Sequence, residues 1–176
     1  MLQHWAPTIG QFLIGAVGTI LCLAALHDVL ARTVPNWMPI ALFIIGCVER
    51  VLDGRIVTSL LIGALVFIVT GLCWKRGWLG GGDVKLLAAA AVAVPPMAVP
   101  PFIAAVALAG GVLSLAYLAL SRLIPRAVLR RPSAWPVGRP SGVLPRVFRL
   151  ECWRLSRGGP LPYAVAIATG GLFVLL

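Results

Sequence analysis

Acidic residues are scarce in this chain: five Asp and Glu stand against fifteen Lys and Arg among 176 residues. Charged residues of both signs make up only 11% of the sequence, whereas 60% is hydrophobic and the mean hydropathy is +1.00. This composition excludes an ordinary soluble domain and is typical of a polytopic membrane protein. The basic pI does not indicate nucleic acid as a partner, because most arginines lie in one segment between hydrophobic runs.

Metal-binding and disulfide-forming patterns are also missing. The four cysteines are scattered without a C-x-x-C pair, and the two histidines, His4 and His27, are far apart. Neither set has the spacing of a zinc site or of a disulfide framework. We therefore expect no metal and no cofactor.

Long hydrophobic runs predict an all-α, polytopic integral membrane protein with about six transmembrane helices, since about 20 apolar residues span a bilayer. The charge-free stretch 86–121 is interrupted by Pro95-Pro96 and Pro100-Pro101, which favours two spans joined by a turn. The predicted runs are 5–26, 35–48 (extendable to 51), 56–74, the two halves of 86–121, and 158–176.

The distribution of basic residues predicts the orientation. With both termini outside, the inward loops hold twelve Lys and Arg and the outward loops hold two, as the positive-inside rule requires. We expect residues 1–176 to form a single membrane-embedded domain with a basic cytoplasmic loop at about 122–158. This loop would contact anionic lipid headgroups.

Two aspartates fall at the predicted cytoplasmic face. Asp83 directly follows the run Gly80–Gly82, and Asp28 lies at the end of the first hydrophobic run. Taken singly, Asp83 is more simply an N-cap and Asp28 an interfacial carboxylate. Two carboxylates at the same face, next to a glycine run that permits close backbone approach, favour a functional pair instead.

Paired carboxylates in a restricted site share one proton, so one member can activate water while the other polarises a carbonyl. This is the chemistry of aspartic proteases, and we take Asp28 and Asp83 as the candidate catalytic pair. Helix-end dipoles predict that Asp83, before a helix, is mainly ionised at neutral pH and that Asp28, at a helix end, is mainly protonated.

The segment Gly80-Gly81-Gly82-Asp83-Val84-Lys85-Leu86 resembles the GxGD motif of the bacterial type IV prepilin peptidases. Asp28 is followed seven residues later by Pro35, in a Val34-Pro35-Asn36 step similar to the family's Ile-Pro-Asn. The stretch 162–168 is similar to the Pro-Tyr-Gly-Val-Ala-Ile that begins the family's last span, with alanine at 164 in place of glycine.

The resemblance implies a membrane aspartic endopeptidase of the bacterial inner membrane that removes the basic leader from prepilins or pseudopilins at the cytoplasmic face. By this resemblance Asp28 and Asp83 are catalytic, and Gly80, Gly82, Lys85, Pro35 and Asn36 support the motif. The chain is similar to the short form that serves tight-adherence (Flp-type) pili. That form lacks the cysteine-bearing domain used for N-methylation, so we expect no methyltransferase activity.

Other interpretations remain open at this stage. A proton-coupled transporter would place carboxylates near the bilayer midplane, and a non-catalytic assembly factor would use the basic loop for docking. A presenilin-like protease usually has Tyr-Asp at the first site, where this chain has His27-Asp28. Asp53 is expected to be a solvated turn residue, and Lys85 a snorkelling anchor or a charge that acts near the site.

Overall fold

A computed structural model describes residues 6–123 and 161–175, and every regular element in these ranges is helical. The all-α prediction is therefore confirmed for the described residues. The helices are α1 (Ala6–Ala31), α2 (Trp37–Leu52), α3 (Ile56–Lys75), α4 (Gly81–Ala93), a 3₁₀ turn (Pro96–Ala98), α5 (Val99–Leu123) and α6 (Tyr163–Leu175). The predicted loop at about 122–158 lies almost wholly outside the described residues.

Three helices in the described ranges are long and apolar enough to cross a membrane: Gly10–Ala31, Ile56–Lys75 and Pro96–Leu120. They correspond to the first, third and fifth predicted runs. Helices α2, α4 and α6 coincide with the other runs but have 16, 13 and 13 residues, which is shorter than the usual span of about 20. The chain is a helical membrane protein, and the count of six crossings stays a prediction.

The chain divides into two compact units. One contains residues 1–110 and 162–176, and the other contains residues 111–161. In the first unit α4 packs chiefly against α2 and α3, and α1 packs against α6. Of the second unit, the structure describes the end of α5.

Local sequence explains where the helices end. Gly54 and Gly77 adopt positive φ values of 67° and 76° after α2 and α3, a conformation that glycine reaches at little cost. Helix α4 ends at Ala93, and the next residue, Val94, is extended because Pro95 follows it. The second proline pair, Pro100-Pro101, does not form a turn: it lies in the first turn of α5, where missing N–H donors are tolerated.

Helix α4 is the most enclosed element of its unit. Residues 86–94 are all buried, which is unusual for a helix unless other helices surround it. The small alanine side chains of α4 allow α2 and α3 to approach it closely, and glycines on these two helices bring the backbones closer still. A Cβ at Gly46 would lie 2.7 Å from the Cα of Ala93. In the same way, the Val92 side chain occupies the space that a side chain at Gly63 would need.

The charged residues at the end of α2 form a buried ion cluster. Arg50 is only 2% exposed, and its guanidinium contacts the carboxylates of Glu49 at 2.8 Å and Asp53 at 2.9 Å. Asp53 is about half exposed, as a turn residue should be, but it is ion-paired and not simply solvated.

Candidate active site

Asp28 lies in the last turns of α1 and is buried, with 7% of its surface exposed. The backbone N–H of Ala164, 136 residues away in sequence, donates a hydrogen bond of 3.2 Å to Asp28 Oδ2. Ala164 is the second residue of α6, so this N–H is one of the helix's free N-terminal donors. Asp28 therefore connects the end of α1 to the start of α6.

Asp83 is the third residue of α4 and folds back over the residues before it. The Gly80 backbone N–H donates to its carboxylate, while the Gly80 carbonyl accepts from Val84 N at 3.2 Å. The bond from the Gly80 N–H to the Asp83 carboxylate is one half of a capping box, in which an acidic residue at the third helical position binds the N–H of the N-cap residue. A Cβ at Gly80 would lie 2.7 Å from Asp83 Oδ2, so a side chain at Gly80 would displace the carboxylate.

The loop between α1 and α2 lies against the start of α4. Val34 occupies the space where Gly82 has no side chain, 3.2 Å from an ideal Cβ. Lys85 Nζ donates a hydrogen bond of 3.0 Å to Asn36 Oδ1 across 49 residues of sequence. The motif residues Gly82, Lys85 and Asn36 therefore hold this loop beside Asp83, and Pro35 lies between the two contacts.

The same loop is also bound to the helix that carries Asp28. Arg32 has a φ of 55°, and its N–H donates to the Asp28 carbonyl at 2.8 Å. The His27 ring nitrogen Nδ1 lies 2.6 Å from the Thr33 carbonyl oxygen, close enough for the ring N–H to donate. These bonds fix the position of the loop relative to α1, so one short segment links the two aspartate-bearing helix ends.

The two aspartates interact electrostatically. Asp83 lies outside the three helices long enough to span a membrane. Burial, and then the negative charge of Asp28, raise the pKa of Asp83 from 3.8 to about 6, and the Gly80 N–H opposes this rise. The Asp83 carboxylate also acts electrostatically on the half-buried Tyr163. The structure thus brings Asp28, Asp83 and Tyr163 into one site.

The helix dipoles predicted that Asp83 is ionised and Asp28 protonated at neutral pH, and the structure supports the first of these two predictions. A pKa of about 6 leaves Asp83 mainly ionised at neutral pH, as expected. Asp28, however, lies at the N-terminal end of α6 as well as near the end of α1, so two opposing helix dipoles act on it. Because the charge of Asp28 helps to raise the pKa of Asp83, the two carboxylates titrate as a coupled pair.

Three contributors to the site escaped sequence reasoning. Tyr163 and the Ala164 N–H belong to a stretch noted only for its family resemblance, and a backbone donor leaves no signal in sequence. The Trp74 indole packs over Gly81, 3.4 Å from an ideal Cβ, which its position at the end of an apolar run does not indicate. In the described ranges no group of three or more His, Cys, Asp or Glu residues is placed to hold a metal ion.

Fold and site together define a helical membrane protein with two interacting carboxylates where helix ends meet. Residues 15–115, more than half of the chain, match the type IV leader peptidase family, and the chain belongs to this family. It is therefore a membrane protease, and the resemblance seen in the sequence is confirmed at the level of the family. No curated protein and no solved structure matches the chain.

Proposed function

We propose that this protein is an aspartic endopeptidase that removes the basic leader from type IV prepilins or pseudopilins at the cytoplasmic face of the bacterial inner membrane. The observation that supports this most directly is the electrostatic coupling between Asp28 and Asp83, which raises the pKa of Asp83 to about 6. Near-neutral titration of a carboxylate beside a second carboxylate is what two-carboxylate hydrolysis requires.

The reaction uses the pair in its singly protonated state. The ionised aspartate takes a proton from a water molecule as the water oxygen attacks the scissile carbonyl carbon. The protonated aspartate donates a hydrogen bond to the carbonyl oxygen and stabilises the charge that develops there. The tetrahedral intermediate collapses when the C–N bond breaks and the leaving nitrogen accepts a proton from the pair.

Backbone donors orient both carboxylates for this reaction. The Ala164 N–H binds Asp28 and the Gly80 N–H binds Asp83, so a backbone donor holds each carboxylate in position. The Asp83 carboxylate and Val34 occupy the side-chain spaces of Gly80 and Gly82, so these glycines let other groups of the site approach the start of α4 closely. Lys85 and Asn36 hold the neighbouring loop in place.

Topology and family subtype belong to the same proposal. The chain crosses the membrane six times with both termini outside, and the shorter helices are accommodated by local thinning of the bilayer. The basic segment at about 122–158 then lies inside, against anionic headgroups. We assign the protein to the short, Flp-type form that cleaves leaders without methylating the new N-terminus.

Substitution of the aspartates tests the proposal. Asp28→Asn and Asp83→Asn should each reduce leader removal by at least about a thousandfold, because loss of one member disables a unit that acts jointly. The measurement is the gel shift of a co-expressed prepilin, with membrane insertion checked in parallel.

Asp53→Asn is the matched control for these variants. Asp53 is the remaining aspartate, its carboxylate is half exposed, and Arg50 keeps its bond to Glu49 without it. This variant should cleave at nearly the normal rate. Appreciable cleavage by Asp28→Asn or Asp83→Asn would remove that residue from the catalytic role.

A further inference from the structure

The two aspartates lie on helices that scarcely contact each other. Within the described residues, α1, which carries Asp28, packs mainly against α6 and α2, whereas α4, which carries Asp83, packs mainly against α2 and α3. The distance between the two carboxylates is therefore set by the segments that connect these helices. One such segment is the start of α6, through the Ala164 N–H, and the other is the loop between α1 and α2.

The loop begins with a turn that is intrinsically unfavourable. Arg32 has a φ of 55°, in a region that residues with a side chain disfavour. Such a conformation persists only where the surrounding contacts hold it. Two bonds from α1 hold this turn, the first being the one that the Arg32 N–H donates to the Asp28 carbonyl at 2.8 Å. In the second, the His27 ring nitrogen Nδ1 lies 2.6 Å from the Thr33 carbonyl oxygen.

The His27 bond connects the surroundings of the two aspartates. A carbonyl oxygen only accepts, so Nδ1 must carry the hydrogen. The donor is next to Asp28 in sequence, and the acceptor carbonyl directly precedes Val34. Val34 occupies the side-chain space of Gly82, which directly precedes Asp83. One side-chain bond thus joins the neighbour of the first aspartate to the segment that contacts the neighbour of the second.

We propose that His27 is a positioning residue for the carboxylate pair, and that its Nδ1–H holds the loop that sets the separation of Asp28 and Asp83. The inference rests on the proposed peptidase function and adds a residue that acts through the loop and not on the substrate. Without this bond the left-handed turn relaxes, the loop withdraws from the start of α4, and the two carboxylates move apart.

Substitutions of His27 separate the donor from the bulk of the ring. Asparagine places its amide nitrogen where Nδ1 lies, so His27→Asn keeps the donor. Glutamine places it where the other ring nitrogen lies and leucine has none, so His27→Gln and His27→Leu lose the bond. These two variants should lower kcat/KM for a purified prepilin by about ten- to a hundredfold, and His27→Asn should recover most of this loss. Leu30→Ala is the control, because Leu30 is exposed at the same end of α1, and it should cleave at nearly the normal rate.

Titration of the pair distinguishes positioning from a loss of stability. The chain has three aspartates, Asp28, Asp53 and Asp83, so in an Asp53→Asn background isotope-labelled aspartate gives infrared carboxyl bands for the pair alone. Burial, and then the charge of Asp28, raise the pKa of Asp83 to about 6, so carboxylates that move apart should titrate at lower pH. In His27→Leu and His27→Gln the upper midpoint should fall by about half a pH unit or more, and in His27→Asn it should stay near the wild-type value. A variant that is only less stable loses folded protein and keeps its midpoint.

The two hypotheses fail in different ways. An unchanged midpoint in both His27→Leu and His27→Gln would overturn the positioning role, whatever their rates. Equal losses in His27→Asn and His27→Leu would also overturn it, because the bulk of the ring and not its donor would then matter. If the midpoints shift as expected but the wild type does not cleave a prepilin, the positioning role stands and the peptidase proposal is wrong.

Discussion

The carboxylate of Asp83 is held by the backbone that precedes it. Its bond from the Gly80 N–H and the clash that any Cβ at Gly80 would cause explain why the residue three positions before the aspartate is glycine. Gly82 has a different reason, because Val34 from another segment occupies its side-chain space. The two glycines that frame the motif thus serve two separate contacts.

The acidity of Asp83 predicts how the reaction rate depends on pH. Its pKa is raised to about 6, so its proton is lost as the pH rises through about 6 and the pair becomes doubly ionised. Since the reaction needs one shared proton, kcat/KM should fall on the alkaline side, by about tenfold per pH unit. The alkaline fall of kcat should occur at higher pH than that of kcat/KM, because bound substrate excludes water from the site and so raises the pKa of the pair further.

The test is whether kcat/KM falls or rises as the pH increases through 6, measured with a purified substrate. The control variant Asp53→Asn, whose change is outside the pair, should show the same pH profile. A rate that rises through pH 6 to a plateau would mean that Asp83 acts as the ionised base and that Asp28 carries the proton.

At the scale of elements, α4 depends on its neighbours for space. Gly46 on α2 is in contact with the backbone of Ala93, which cannot move aside as a flexible side chain would. Even a methyl group at this position must push α2 away from α4.

Gly46→Ala should therefore lower the thermal unfolding midpoint of the protein in detergent, with a destabilisation of about 1–3 kcal/mol from overpacking. Gly71→Ala is the control, because nothing lies within 4 Å of its added methyl group on α3. It should be neutral or slightly stabilising, since alanine favours a helix over glycine. Equal midpoints for the two variants would show that α2 and α4 are not in contact at Gly46.

Hydrophobic runs were sufficient to predict the helices, since each described helix coincides with a run. They did not predict helix length or packing, because an alanine-rich helix enclosed by other helices has the same composition as one in lipid. The aspartates were identifiable because charge is so scarce in the sequence. Tyr163, the Ala164 N–H and the Lys85–Asn36 bond were not, since they depend on which helix ends meet and not on residue type.

At the scale of the whole molecule, the distribution of charge predicts the orientation of the chain in the membrane. The formal net charge is +10, and nine of the arginines lie between residues 122 and 157. Moving such a segment across the membrane is far less favourable than retaining it inside. This asymmetry places both aspartates at the cytoplasmic face in the proposed topology.

Cysteine accessibility at positions 53 and 130 checks this orientation. In a variant without the natural cysteines, a membrane-impermeant reagent added to the periplasmic side should label a cysteine at position 53 and leave one at position 130 unlabelled until the membrane is opened. Labelling of both positions from the same side would contradict the six-crossing topology.

The bond between Asp28 and the Ala164 N–H also has a consequence for biogenesis. A growing chain contains both aspartates long before it contains α6, because α6 begins only at Tyr163, far beyond Asp28 and Asp83 in the sequence. Until α6 is inserted, Asp28 lacks its backbone donor and Tyr163 is absent from the site. Completion of the candidate site is thus tied to the insertion of α6, so a partly synthesised chain in the membrane has both aspartates without the contacts that α6 adds to them.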